Sequence, residues 1–197
     1  MITAVILAAG LSTRMGRPKM ILPWGETTVI GHVVATYIQA GIDEIVVVTG
    51  ASHLEVEAAA REGSWEMVRT VYNPRYTEDD MLVSLRAGMA ALGDEVDAML
   101  VGLGDQPQLE AGVVRSLVEL YLTRGVPLVV PSYHLRRGHP WLVHRSLWPI
   151  LLSAPRGSTM RDFLHTCSQQ ITYLTLDTAS IISDLDTPED YARLSEK

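Results

Sequence analysis

Cationic side chains and glycines are concentrated in one short stretch near the N-terminus of the chain. Arg14, Arg17 and Lys19 lie in a segment that also carries Gly10 and Gly16. Glycine allows a loop to turn its amide N–H groups towards an anion, and the three side chains supply full positive charges. This combination is typical of a site that binds the phosphates of a nucleotide.

An apolar run comes immediately before this loop. Residues 2–7 are aliphatic and rich in β-branched side chains, which predicts a strand buried on both faces of a parallel sheet. The loop therefore begins at the carboxyl end of a strand, where ligands bind in open α/β sheets. Small side chains at Ala8 and Ala9 leave the main chain accessible to a ligand. The glycine spacing matches neither a dinucleotide-binding fold nor a P-loop, so a dehydrogenase is not expected.

Composition limits the class of protein. The chain has 197 residues, of which 47% are hydrophobic and 20% charged, as expected for one globular domain over 1–197 rather than a disordered chain. The net charge of -7 disfavours binding to nucleic acid. A single cysteine, Cys167, excludes an intramolecular disulfide and a cysteine-rich zinc site. No segment reaches the roughly 20 apolar residues of a membrane span, so we expect a cytoplasmic protein without a membrane partner.

Apolar runs alternate with amphipathic stretches along the whole chain. This alternation predicts a mostly parallel sheet packed against helices. A hairpin over 132–144 would add an antiparallel strand. Strands are predicted over 2–7, 44–49, 66–72, 96–102, 127–131 and 171–176. Helices are predicted over 28–39, 53–61, 81–92, 110–121, 146–152, 158–166 and 188–194.

An aspartate follows one of the later predicted strands. Asp105 comes just after the strand at 96–102, and a parallel topology would bring it to the same sheet edge as the first loop. A carboxylate at that edge can hold Mg²⁺, which prefers oxygen ligands. An aspartate after a strand also serves as a turn or N-cap residue. The local sequence leaves both interpretations open.

A second acidic segment lies near the C-terminus. Thr187 is suited to cap a helix that begins at Pro188, and Glu189 and Asp190 favour the positive end of that helix. These local roles account for the acidic residues without a ligand. A ligand-binding role is compatible with the same residues.

Together, these motifs resemble those of the MobA-like nucleotidyltransferases, which include the molybdopterin cytidylyl- and guanylyltransferases. The resemblance implies an α/β fold of the nucleotide-diphospho-sugar transferase type: a Rossmann-like, three-layer α/β/α arrangement with a mostly parallel mixed sheet. The matching patterns occur in family order: L-A-A-G-x-S-x-R-M-G-x-x-K over 7–19, G-D-Q-P over 104–107, G-H-P over 138–140 and D-x-D-T-P-E-D over 184–190.

The resemblance also implies an activity. Members of this family move a nucleoside monophosphate from a nucleoside triphosphate (NTP) onto a phosphorylated acceptor, with Mg²⁺, and release pyrophosphate. The A-A-G form of the loop and the G-H-P element favour CTP as donor and molybdopterin as acceptor, with a molybdoenzyme as a further partner. The alternatives are a guanylyltransferase that uses GTP, a sugar- or alcohol-phosphate nucleotidyltransferase, and a nucleotide-binding accessory protein that matures a molybdoenzyme without turnover.

The resemblance assigns roles to individual positions. Lys19, Arg14 and Asp105 are the expected catalytic residues, and Asp105 and Asp186 the expected Mg²⁺ ligands. His139 and Arg161 are candidate contacts to the acceptor. The expected nucleotide-binding residues are Leu7, Ala8, Ala9, Gly10, Arg14, Lys19, Asn73 and Ser84.

The chain departs from the family pattern at two places. Asp79 and Asp80 precede Met81, where relatives carry a glycine, and these carboxylates either alter substrate choice or face solvent. The segment 154–157 lacks the aspartate of the family G-D-x-G turn, which weakens the assignment of Arg161.

Overall fold

The computed structural model describes residues 1–63, 66–78 and 80–195. None of the helices in these ranges has the length and apolar character needed to cross a membrane. The helices are α1 (Val29–Gln39), α2 (His53–Ala60), α3 (Met81–Met89), α4 (Ala111–Arg124), α5 (Trp148–Ser153), α6 (Met160–Thr166) and α7 (Pro188–Ser195). The strands are β1 (Ile2–Ala8), β2 (Pro23–Trp24), β3 (Thr27–Thr28), β4 (Glu44–Thr49), β5 (Val68–Tyr72), β6 (Ala98–Leu103), β7 (Leu128–Tyr133), β8 (Arg136–Arg137), β9 (Trp141–His144) and β10 (Ile171–Thr175).

One mixed sheet forms the centre of the fold. Its order is β10-β7-β9-β6-β1-β4-β5, with β8 paired to β7. Strand β1 runs parallel to both β4 and β6, whereas β9 is antiparallel to β6 and to β7. Strands β2 and β3 form a separate antiparallel pair. The predicted mostly parallel sheet with an antiparallel strand from the hairpin region is confirmed.

Helices cover both faces of the sheet. Side chains alternate along β1, so that Ala4 and Ile6 join a core with α1, α2 and α4, whereas Val5 and Leu7 join a core with α3, α5 and α6. Both faces of the central strand are thereby buried, which explains its continuous apolar sequence. The three-layer α/β/α architecture follows from these two cores.

The order of the strands creates a crevice at the sheet edge. From β1 the chain proceeds to β4 and β5 on one side, then crosses to β6 on the other side of β1. The loops after β1 and β6 therefore diverge at a topological switch point, where open α/β sheets bind ligands. They are joined at their base by a hydrogen bond from the Gly104 amide to the Leu7 carbonyl oxygen at 2.9 Å.

Helix boundaries differ from the prediction where capping contacts decide them. Helix α6 begins at Met160, because Thr159 and Asp162 form a reciprocal capping box. Helix α4 continues to Arg124 and ends at Gly125, which adopts a φ of 61°. The predicted helix over 81–92 ends at Met89, followed by turns.

Candidate active site

The loop after β1 folds back on itself and carries a lysine into the crevice. Two short 3₁₀ turns, Thr13–Met15 and Lys19–Ile21, shape it. Gly16 has a φ of 68°, a conformation that glycine adopts without strain. The Ser12 hydroxyl oxygen accepts a hydrogen bond from the Lys19 amide at 3.2 Å. The Lys19 side chain is 11% exposed.

Lys19 joins three segments that are distant in sequence. Its Nζ donates to a carboxylate oxygen of Asp105 and, at 3.0 Å, to the carbonyl oxygen of Leu185. It also lies 3.5 Å from Oδ1 of Asp186. The Nη1 atom of Arg14 is 2.9 Å from Oδ2 of Asp186. Positive and negative groups thus alternate across the crevice.

A third carboxylate borders this cluster. Asp184 accepts a hydrogen bond from Nε2 of Gln106 at 2.7 Å. Partial desolvation at the cavity wall, together with the negative charge of Asp105, raises the pKa of Asp184 above its usual range. The acidic segment therefore brings two aspartates to the site, and the same segment caps α7 through Thr187 and Asp190.

The cluster forms one end of a cavity of about 360 Å³, which we call the first cavity. Tyr76, Asp80 and Met81 also lie at its wall, so Asp80, one of the two carboxylates that depart from the family pattern, lines the cavity. Asp80 also caps α3 by accepting from the Leu82 amide at 2.8 Å, and Asp79 lies outside the described residues. Of the residues expected to bind nucleotide or metal, those lining this cavity are Leu7, Ala9, Gly10, Arg14, Lys19, Ser84, Asp105 and Asp186.

Two expected nucleotide-binding residues do not line the first cavity. Ala8 is 1% exposed and belongs to the core that Ala4 and Ile6 share with α1, α2 and α4. Asn73 is 2% exposed and donates from Nδ2 to the Ser84 hydroxyl at 3.1 Å. Asn73 therefore lies behind Ser84 and orients it. The third cation of the loop, Arg17, instead lies 5.5 Å from the ring centre of Tyr191.

Gly10 leaves room for a ligand in the first cavity. A Cβ atom added at Gly10 would meet no atom of the described residues within 4 Å, and the residue does not have a positive φ. Neither packing nor backbone conformation within the protein requires a glycine here. A molecule that occupies the cavity and approaches the main chain would require one.

A second cavity of about 790 Å³ lies beside the first, and Met81 contributes to the walls of both. His139 and Arg161, the two candidate acceptor contacts, line it together with Arg137 and Trp141. Arg161 follows the 154–157 turn, which Arg86 anchors by donating to the carbonyl oxygen of Ala154. The cavity is also lined by Tyr173, whose hydroxyl accepts hydrogen bonds from the Arg137 guanidinium.

His139 is held in one orientation and is neutral near pH 7. Its ring stacks on Trp141 with the ring centres 4.5 Å apart. Burial lowers the pKa of His139 to about 4. Its Nδ1 lies 3.3 Å from the carbonyl oxygen of Val101, which can only accept, so Nδ1 carries the proton. Nε2 is therefore a hydrogen-bond acceptor.

The carboxylates are suited to a divalent cation that takes its remaining ligands from a substrate and from water. Asp105 and Asp186 both contact the amine of Lys19, so their oxygens face one point. Within the described ranges, no group of three or more His, Cys, Asp or Glu side chains is arranged to hold a metal ion. Mg²⁺ commonly binds through one or two carboxylates and takes its other ligands from phosphate and water.

Comparisons with known proteins agree with this geometry. Residues 4–171 match the family described as the MobA-like NTP transferase domain. A molybdenum cofactor cytidylyltransferase from Escherichia coli is 29% identical over 196 residues, covering 100% of this chain and 96% of that protein. A protein named nicotine blue oxidoreductase, from Paenarthrobacter nicotinovorans, is 31% identical, with 98% and 96% covered.

Solved structures share the whole fold. Rv0371c from Mycobacterium tuberculosis superimposes with a TM-score of 0.85 at 28% identity, covering 100% of this chain and 98% of that one. That protein has also been solved as a manganese complex. A nucleotidyl transferase from Methanothermobacter gives a TM-score of 0.82 at 27% identity, with 100% and 96% covered. The chain belongs to the MobA-like NTP transferase family and is a nucleotidyltransferase.

Proposed function

We propose that this enzyme transfers a cytidylyl group from CTP to the phosphate of molybdopterin, with Mg²⁺, and releases pyrophosphate. The observation that carries the proposal is the adjacency of two cavities, one lined by cations and carboxylates and the other by two arginines, which share Met81. Full-length similarity to a molybdenum cofactor cytidylyltransferase supports the choice of donor and acceptor. A protein named as an oxidoreductase is similar to this chain at 31% identity, so sequence similarity alone does not define the substrate.

The first cavity is suited to the triphosphate. Lys19 and Arg14 point into it and are paired with carboxylates. Phosphate oxygens offer these cations stronger partners, because a triphosphate carries several charges at close range. Asp105 and Asp186 would hold the Mg²⁺ ion, which neutralises phosphate charge and orients the phosphate oxygens.

The proposed reaction is a displacement at the α-phosphorus of CTP. An oxygen of the acceptor phosphate forms a bond to that phosphorus, the bond to the β-phosphate breaks, and pyrophosphate leaves with the electron pair. Lys19 and Arg14 stabilise the negative charge that develops on these oxygens. The acceptor phosphate is already ionised, so no general base is required. His139, with a pKa of about 4, is too weakly basic to serve as one.

The second cavity is suited to a phosphorylated heterocycle. Arg137 and Arg161 place positive charge there, in a chain whose net charge is -7. Trp141 and Tyr173 provide aromatic surface for a flat ring such as a pterin. Both cavities are built on one sheet, so we assign 1–197 to a single nucleotidyltransferase domain. We further propose that it acts in the cytoplasm and passes its product to a molybdoenzyme.

Pyrophosphate release tests this function. The purified enzyme should be assayed with CTP, GTP, ATP and UTP, each with and without molybdopterin, in Mg²⁺ and in excess chelator. We expect release that requires CTP, molybdopterin and metal together. Release with GTP but not with CTP would make the enzyme a guanylyltransferase. Release when a sugar phosphate is supplied in place of molybdopterin would show that the proposed acceptor is wrong. Nucleotide binding without release under any condition would indicate an accessory protein.

A further inference from the structure

We infer that Gln106 is a positioning residue, whose side-chain amide holds the segment 181–186 against the first cavity so that Asp186 meets Lys19. The significance of Asp186 as a metal ligand rests on the proposed function. The Gln106 side chain lines neither cavity, so it is not expected to touch a substrate. Its contacts within the protein can therefore be tested in the absence of substrate.

The amide of Gln106 bridges two points of the segment 181–186. Nε2 donates to the carbonyl oxygen of Ile181 at 3.3 Å and to Oδ1 of Asp184 at 2.7 Å. Beside it in sequence, the carbonyl oxygen of Asp105 accepts from the Leu185 amide at 3.0 Å. Residues 183–186 belong to neither a helix nor a strand. Contacts from outside the segment, rather than regular secondary structure, therefore determine its path.

The two aspartates of the segment differ in their partners. Asp186 contacts Lys19 and Arg14, so its negative charge is balanced at the cavity wall. The nearby negative charge of Asp105 disfavours the ionised form of Asp184. The N–H groups of Gln106 stabilise Asp184 at this position by donating to its carboxylate. Its Oε1 atom, by contrast, is buried without a hydrogen-bond partner in the part of the chain that the structure describes.

The unsatisfied oxygen is a cost of having a glutamine at this position, so the benefit must come from the nitrogen. Gln106 is 2% exposed, and a buried amide oxygen without a partner destabilises the folded state. An apolar side chain of similar size would avoid this cost. The residue type is therefore explained by what its nitrogen holds. The segment also contacts a residue that lines the second cavity, because the Ile181 carbonyl oxygen accepts from the His139 amide at 2.9 Å.

Hydrogen exchange measured by mass spectrometry tests the inference on the free protein. In Gln106→Met, we expect the Leu185 amide and its neighbours in 181–186 to exchange roughly ten times faster, since the variant loses the two hydrogen bonds from Nε2 that attach the segment. Gln170→Met is the matched control, because Gln170 is exposed in a distant turn, and it should leave this exchange unchanged. Unchanged exchange in a folded Gln106→Met variant would overturn the inference.

A swap of the two partners provides a rescue that does not depend on the methionine variant folding. Gln106→Glu places two carboxylates face to face, and exchange in 181–186 should rise. Adding Asp184→Asn restores one hydrogen bond with donor and acceptor reversed, and exchange should return towards the wild-type rate. If the double variant exchanges as fast as Gln106→Glu alone, the contact between these side chains does not position the segment.

Mn²⁺ binding links the segment to Asp186. Calorimetric titration should show several-fold weaker Mn²⁺ binding in Gln106→Met, whereas the same substitution should add no further loss in an Asp186→Asn background. Additive losses would show that Gln106 does not act through Asp186. A wild-type protein that binds no Mn²⁺ would instead refute the metal assignment in the proposed function, and the exchange measurements would still decide the role of Gln106.

Discussion

Replacing Lys19 by methionine should change two measurable properties in opposite directions. The Lys19 side chain is 11% exposed and its amine contacts Asp105, Asp186 and a backbone carbonyl group. Methionine keeps most of the length and apolar surface of the side chain and removes the charge. We expect turnover to fall on the order of 10²-fold to 10³-fold, the usual effect of removing one prearranged charge that stabilises a transition state.

Metal binding in the absence of nucleotide should instead become tighter. The amine of Lys19 holds the two carboxylates that are proposed to bind the cation, and it repels a divalent ion. Unit charges 4 Å apart interact by about 4 kcal/mol at an effective dielectric constant of about 20. Because Lys19 can move aside and water enters the crevice, removing the amine should improve Mn²⁺ binding by only part of that energy. We expect Mn²⁺ affinity to rise about 10-fold, which corresponds to about 1.4 kcal/mol.

The assays are pyrophosphate release for turnover and calorimetric titration with Mn²⁺ for affinity. Arg17→Met is the matched control, because Arg17 belongs to the same loop but is exposed and lies against Tyr191. Its turnover and Mn²⁺ affinity should stay close to wild type. Near-normal turnover in folded Lys19→Met would refute the assignment of the triphosphate site, and weaker Mn²⁺ binding would refute the competition between amine and metal.

Three further predictions follow from named contacts. Asp105→Asn should reduce both Mn²⁺ affinity and turnover at least 10²-fold, and titration that finds unchanged affinity would remove Asp105 from the metal site. Because burial lowers the pKa of His139 from 6.5 to about 4, protonation of the unfolded chain should reduce the free energy of unfolding by about 2 kcal/mol between pH 7.5 and pH 5. Urea unfolding at both pH values should show a smaller loss for His139→Gln; an equal loss would contradict the assignment. A Cβ atom at Gly138 would lie 2.3 Å from the carbonyl oxygen of Ile181, so Gly138→Ala should destabilise the protein by about 1–3 kcal/mol in urea unfolding. Gly112→Ala, where an added Cβ meets no atom within 4 Å among the residues that the structure describes, is the control and should not destabilise the protein.

Local patterns were sufficient to predict most of the fold. The apolar run of β1 and the turn residues around it identify a buried strand followed by a loop, because periodicity and backbone preferences depend on neighbours in sequence. The start of α7 was predicted at Pro188 for the same reason, since Thr187 caps it through a contact three residues away. Helix ends were less predictable where a reciprocal cap, as at Thr159, decided between nearby positions.

The composition of the candidate site was only partly accessible from the sequence. Asn73 was expected to contact the nucleotide, but it packs behind Ser84, because its position depends on how α3 meets the strand edge. Tyr76 and Asp80 reach the first cavity through that same packing. The departure from the family pattern draws attention to Asp80, but whether this side chain lines a cavity or faces solvent depends on that packing.

Local sequence was enough to establish the alternation of strands and helices, the glycine- and cation-rich loop after β1, and the aspartates after β6 and before α7. Folding in three dimensions brings Lys19 to Asp105, 86 residues away in sequence, and places Asp186 against the same amine. Folding also buries His139 enough to keep its ring neutral near pH 7. These properties depend on burial and on distances between segments far apart in the chain, which chain packing sets and local sequence does not encode.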